Sequence, residues 1–153
     1  MKMSMTKITI LILRIVFGLM FLISGFEKLT SGFTASSYLL KVSTGPFAAM
    51  FGTFAGNVMI DQLVIWGEIG IGLALLLGIL IRFASFWGII MMLLYYISVL
   101  PPQTGWINQH IIFICVFIVL AGSGSGRNFG LDKLIERKKF SIKNFKILRY
   151  LLG

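Results

Sequence analysis

The chain is poor in the residues that build redox and metal centres: its 153 residues include one cysteine, Cys115, and one histidine, His110. A single cysteine allows neither an internal disulfide nor a Cys-x-x-Cys electron relay. One cysteine and one histidine cannot assemble a recognisable zinc, iron–sulfur or haem site, and no flavin motif is evident. Charge is also scarce, at 12% of residues, with only five Asp and Glu against 58% hydrophobic residues. A soluble domain of this length could not hide so much apolar surface. No repeat of 20–50 residues is present.

What is abundant is long apolar sequence. Runs extend from Ile8 to Phe26, Leu63 to Ile81, Phe83 to Leu100 and Ile107 to Ala121, and about 20 helical residues cross a hydrocarbon core of about 30 Å. The runs lack the short alternation of barrel strands, and backbone polar groups in lipid must pair internally, so helices are expected. The reading is an all-α integral membrane four-helix bundle, one domain over 1–153, with spans near 8–29, 61–81, 83–100 and 106–122 and a tail over 127–153. The first run exceeds the apolar core of a signal peptide and has no clear cleavage site after it, so it is expected to remain as a helix. Cys115 in the fourth run is expected to be a small buried packing residue.

The net charge of +9 does not point to nucleic acid, because eight of the fourteen Lys and Arg follow Gly126, beside a span. They read as topology signals and contacts to membrane lipid. Lys2 and Lys7 precede the first run, whereas Thr30–Ile60 carries only Lys41. Both termini are therefore expected on the cytoplasmic side of the plasma membrane, with Thr30–Ile60 and Pro101–Gln109 outside.

Between the first two runs, Phe33, Tyr38, Leu39, Leu40 and Val42, then Phe47, Met50, Phe51 and Phe54, suit two short helices split at Gly45-Pro46. Pro101-Pro102 ends the third span, and Gly122-Ser123-Gly124-Ser125-Gly126 breaks the fourth. In the tail, Ser141 suits an N-cap for a basic amphipathic helix with Ile142, Phe145, Leu148 and Leu152 on one face. That helix would lie on anionic lipid or meet a soluble partner.

Against this apolar background the polar side chains stand out. Arg14, Gly18, Phe21, Gly25 and Lys28 share one helix face. Asp61, Glu68, Leu75 and Arg82 recur every seventh residue in the second run, and Gly70, Ala74 and Gly78 offer a strip for close helix approach. A carboxylate deep in a span faces the bundle interior, meets a cation or handles protons. Counting about 1.5 Å per residue puts Glu68 about equally far in depth from Lys28 and Arg14, so a pair with either is expected. Tyr95, Tyr96, Asn108 and His110 add polarity at the same end, with Trp66 and Trp106 nearby. Glu68 and His110 are the candidate catalytic residues, handling protons; Arg14, Lys28, Tyr95, Tyr96 and Asn108 are the candidate substrate-binding residues. Such a pocket could hold a small anion, or a lipid-soluble ring against its aromatic wall. The plainer alternatives are interface anchors for Glu27 and Lys28, an aromatic belt for the tyrosines and tryptophans, a helix-capping role for His110, and a structural ion pair for Glu68 and Arg14.

The motifs Arg14-Ile-Val-Phe-Gly18-Leu-Met-Phe21-Leu-Ile-Ser-Gly25-Phe-Glu-Lys28-Leu, Gly67-Glu68-Ile-Gly70-Ile-Gly72 through Gly78 and Arg82, Tyr95-Tyr96 before prolines, Asn108-Gln-His110, and Gly126-Arg127-Asn-Phe-Gly130-Leu131-Asp132 resemble, in order and spacing, the DoxX/DoxD family of small four-helix membrane proteins. The resemblance is closest to the DoxD branch, the membrane subunit of thiosulfate:quinone oxidoreductase. It implies transfer of electrons from a small anionic sulfur donor such as thiosulfate to a membrane quinone, with a second small subunit or a soluble redox partner. The family also includes members linked to redox-stress complexes, membrane chaperoning and cargo escort, so a non-catalytic scaffold or chaperone is the rival expectation.

Overall fold

Apolar sequence this long buries its backbone polarity only by coiling, and the computed structural model, which describes residues 4–102 and 105–133, is helical throughout its ordered elements. Helix α1 spans Met5–Thr30, α2 Ser36–Lys41, α3 Ala48–Gly52, α4 Val58–Leu77, α5 Ile81–Ser98, α6 Gln109–Ser123 and α7 Ser125–Phe129; a 3-10 turn at Gly45–Phe47 leads into α3. Among the described residues α1, α4 and α5 are long and apolar enough to cross a membrane. The 15-residue α6 is apolar but shorter, about 22 Å at the helical rise. The tail helix expected from Ser141 lies outside the described residues.

Helix α1 packs on α4, and α5 on α6. The buried face of α1 is Arg14, Phe17, Gly18, Phe21 and Gly25; the helical spacing picks out all of these but Phe17, and Lys28 at the end of that stripe is part-exposed. Glycine makes the α1–α4 contact close: a Cβ on Gly72 would stand 2.6 Å from the Leu22 amide nitrogen, and one on Gly25 would stand 2.9 Å from that of Ile69. Of the expected small-residue strip, Gly78 admits a close approach, a Cβ there standing 2.6 Å from the Gly130 Cα, but the strip does not make the α1–α4 contact. Gly70 meets nothing, and Gly18, Gly25 and Gly72 are the residues that let the two backbones approach. In the core, the rings of Phe17, Phe21 and Phe117 stack edge to face with centroids 4.9–5.3 Å apart, an arrangement favoured by the ring quadrupole.

The second and third spans divide earlier than expected. Gly78 takes a left-handed φ of 66° and ends α4, so Arg82 belongs to the start of α5, where its Nε donates to the Ala121 carbonyl. Charge at Arg82 suggested the boundary; the glycine C-cap sets it. Leu80 is also left-handed, and Asp132 holds this turn by accepting the Leu80 amide at 2.9 Å while its own amide donates to the Gly78 carbonyl. The split at Gly45-Pro46 is present. The loop that contains it docks on the end of α5, where the Thr44 amide and Ser43 hydroxyl both donate to the Ser98 carbonyl. Cys115 faces outward rather than into the packing.

Candidate functional site

The last turn of α1 brings Lys28 over the middle of α4. Its Nζ donates to Glu68 Oε2 at 2.6 Å and to Ser24 Oγ, one helical turn back, at 2.7 Å. Glu68 is 4% exposed. The close α1–α4 contact explains the pairing, because Gly25 lets α1 lie against Ile69 and the Glu68 Cβ. Phe33 covers the ammonium from the loop side, its ring centroid 5.6 Å from Nζ, a favourable cation–π placement. A second oxygen of the carboxylate, Oε1, lies 3.5 Å from the Tyr95 hydroxyl, at the outer limit of hydrogen bonding.

These groups form part of the wall of a cavity of about 610 Å3, within the range of small-molecule sites. Phe21, Phe51, Phe54, Met92 and Phe113 make most of its wall apolar, and Lys28, Glu68, Tyr38, Tyr95, Ser98 and His110 supply the polar edge. His110 meets the Tyr95 ring edge to face at 6.0 Å, and its buried Nδ1 has no hydrogen-bond partner. A buried polar nitrogen without a partner is costly, and a ligand or water in the cavity would relieve it. The short loop helices roof the site. The Tyr38 hydroxyl is 3.2 Å from Ser98 Oγ, and buried Asp61 accepts the Ala35 amide at 2.6 Å, fixing the start of α2.

The structure thus gathers Glu68, Lys28, Tyr95 and His110 and leaves three expected residues elsewhere. Arg14, 2% exposed, donates from Nη1 and Nη2 to the carbonyls of Ser125 and Phe129 at 2.9 and 2.8 Å, within electrostatic reach of Asp132. Of the two partners weighed for Glu68, Lys28 is the one it meets. Adjacent Tyr96 turns its hydroxyl to the Trp106 carbonyl, off the cavity wall. Asn108 caps α6, its Oδ1 accepting from the His110 and Ile111 amides, and so orients His110 without lining the cavity. Sequence reasoning missed Ser24, Tyr38 and Ser98. Ser24 was detectable as the residue one turn before Lys28 on the same face; nothing local marks the other two.

Apolar spanning helices around a cavity with a part-buried ion pair define a multi-pass helical membrane protein. The DoxX family profile matches residues 9–101, and the chain belongs to that family. The match covers Lys28, Glu68 and Tyr95 and stops before His110 and Asp132. No curated protein and no solved structure was found to match the chain.

Proposed function

We propose that the protein is the membrane subunit of a quinone-linked oxidoreductase, close to the DoxD branch, and that the cavity takes the quinone ring. The carrying observation is the cavity itself: about 610 Å3 of mostly aromatic and aliphatic wall with one compensated ion pair, Lys28–Glu68, and an unpartnered His110 nitrogen. Met20 and Leu94 belong to that wall and are also exposed on the spanning helices, which supports entry from lipid. Pairing with Glu68 cancels the charge of Lys28, so the site suits a neutral ring better than an anion, and Arg14 is absent from it. Reduction of the ring to a quinol consumes two electrons and two protons. Lys28, Tyr95 and His110 can present hydrogen bonds to ring oxygens, and Glu68 holds Lys28 in place. Two thiosulfates joining as tetrathionate release the two electrons; in this reading that anionic donor is oxidised at a second small subunit or soluble redox partner.

The topology that goes with this reading has four spans, α6 with its flanks being the fourth, and both termini on the cytoplasmic face of the plasma membrane. Cysteines placed at Ser36 and Ser141 then react from opposite sides.

Membrane vesicles carrying the protein and its partner are expected to reduce a quinone analogue on addition of thiosulfate, and Glu68→Gln, Lys28→Met and His110→Gln to lose that activity while the protein still accumulates. Vesicles without the protein reducing the analogue equally fast would end the proposal. The 2.6 Å pair, satisfied entirely within the chain, also supports a second reading: a scaffold or chaperone in which the pair only locks α1 to α4. There the double variant Lys28→Met/Glu68→Gln keeps full function.

A further inference from the structure

At the end of the bundle remote from Lys28, a second cavity of about 250 Å3 lies between the start of α1 and the junction of α6 and α7. That is room for about eight waters at ~30 Å3 each. Its polar wall is Ser4, Thr6, Lys7, Ser123, Ser125 and Asn128, and no acidic side chain among the described residues lines it.

The charge on this wall is positive among the described residues. Lys7 makes no ion pair among the described residues. Ser4 holds the N-cap position of α1 without making a side-chain capping bond, and the first turn has no acidic residue to offset the positive end of the helix. Independently, Ser125 is 3% exposed and its hydroxyl has no partner. A buried hydroxyl left so costs free energy that a ligand oxygen would return. An ammonium, the positive end of a helix and the unpartnered Ser125 hydroxyl on one space call for a ligand that is anionic and carries acceptor oxygens. Apolar Ile10 also lines the space, which opens at one end of the membrane-spanning helix α1, the level at which phospholipid headgroups lie.

We propose that this cavity binds a phosphate group, supplied by the headgroup of an anionic phospholipid. The purified full-length protein in neutral detergent, titrated with phosphatidylglycerol or phosphatidylcholine and read by native mass spectrometry, tests it. Wild type is expected to retain phosphatidylglycerol over phosphatidylcholine, and Lys7→Gln to weaken that retention about fivefold. Ser125→Ala is expected to cause a smaller loss. Lys41→Gln, which removes one exposed charge from the loop between α1 and α4, is expected to leave retention unchanged. Equal retention by wild type and Lys7→Gln, or equal losses in Lys7→Gln and Lys41→Gln, overturns the site. A third arm adds inorganic phosphate without lipid. Binding of phosphate that raises thermal stability and is abolished by Lys7→Gln, with no preference for phosphatidylglycerol, keeps the phosphate site and overturns its lipid source.

Discussion

Of the cations on one face of helix α1, the chain uses Lys28 and Arg14 in opposite ways. Lys28 reaches a carboxylate in the wall of a cavity and keeps 23% of its side chain exposed, whereas Arg14 is enclosed by the carbonyls of α7 with fully buried Asp132 in reach. The choice of residue fits each place. A guanidinium presents a planar fork that can serve two carbonyls at once, as Arg14 does with Ser125 and Phe129, while an ammonium on a flexible stem can change partner when a ligand enters. One end is therefore built as a lock and the other as a site, although in sequence both are a basic residue on the same stripe.

The largest effect is expected from breaking the lock. Arg14→Met leaves the Ser125 and Phe129 carbonyls without their donor, removes a charge favourable to buried Asp132 and frees α7, and each buried acceptor left unsatisfied costs about 1–3 kcal/mol. The protein should largely vanish from the membrane fraction, as measured by immunoblot of extracted membranes. Arg14→Met/Asp132→Asn should recover part of the loss, because asparagine still accepts the Leu80 amide. Recovery instead on removing Glu68 would mean that Arg14 belongs to the cavity after all.

Next comes the contact on which the pair depends. A side chain on Gly72 meets the α1 backbone, and such overpacking costs about 1–3 kcal/mol. Gly72→Val should lower thermal stability in detergent and, by pushing α1 outward, weaken ligand binding in the cavity, whereas Gly70→Val on the open side should do neither. A smaller loss, about 1 kcal/mol or less, is expected for Glu68→Gln, since the freed Lys28 can swing toward water. Thermal melts of the purified variant should place it well above Arg14→Met.

Much of this division was legible in the sequence. The stripe Arg14–Gly18–Phe21–Gly25–Lys28 follows from helical period alone, and Glu68 stands out because lipid penalises charge. What could not be read was the partner of each cation. Depth along straight helices left Glu68 equidistant from Lys28 and Arg14. Only the return of α7 beneath α1, set by left-handed backbone at Gly78 and Gly124 and by Asp132, takes Arg14 away. The boundary near Arg82 was misplaced for a related reason: a charge is conspicuous in an apolar run, while a glycine that ends a helix by its φ looks like one that packs.

The smallest effect separates neighbours that the sequence treats alike. Tyr95 and Tyr96 share type, depth and flanking prolines, yet only the Tyr95 hydroxyl faces Glu68, and at 3.5 Å its bond to that carboxylate is weak. Removing a bond at that limit should cost well under ~1 kcal/mol of stability, so Tyr95→Phe should melt like wild type. A ligand ring oxygen entering the cavity would offer the same hydroxyl a shorter partner, and losing a hydrogen bond made only with ligand weakens affinity about fivefold, at ~1 kcal/mol. Titration of a quinone analogue into purified protein should therefore show weaker binding in Tyr95→Phe and unchanged binding in Tyr96→Phe, whose hydroxyl serves the Trp106 carbonyl. Equal losses in both would mark the tyrosines as an aromatic belt that acts through packing, and would remove Tyr95 from the site.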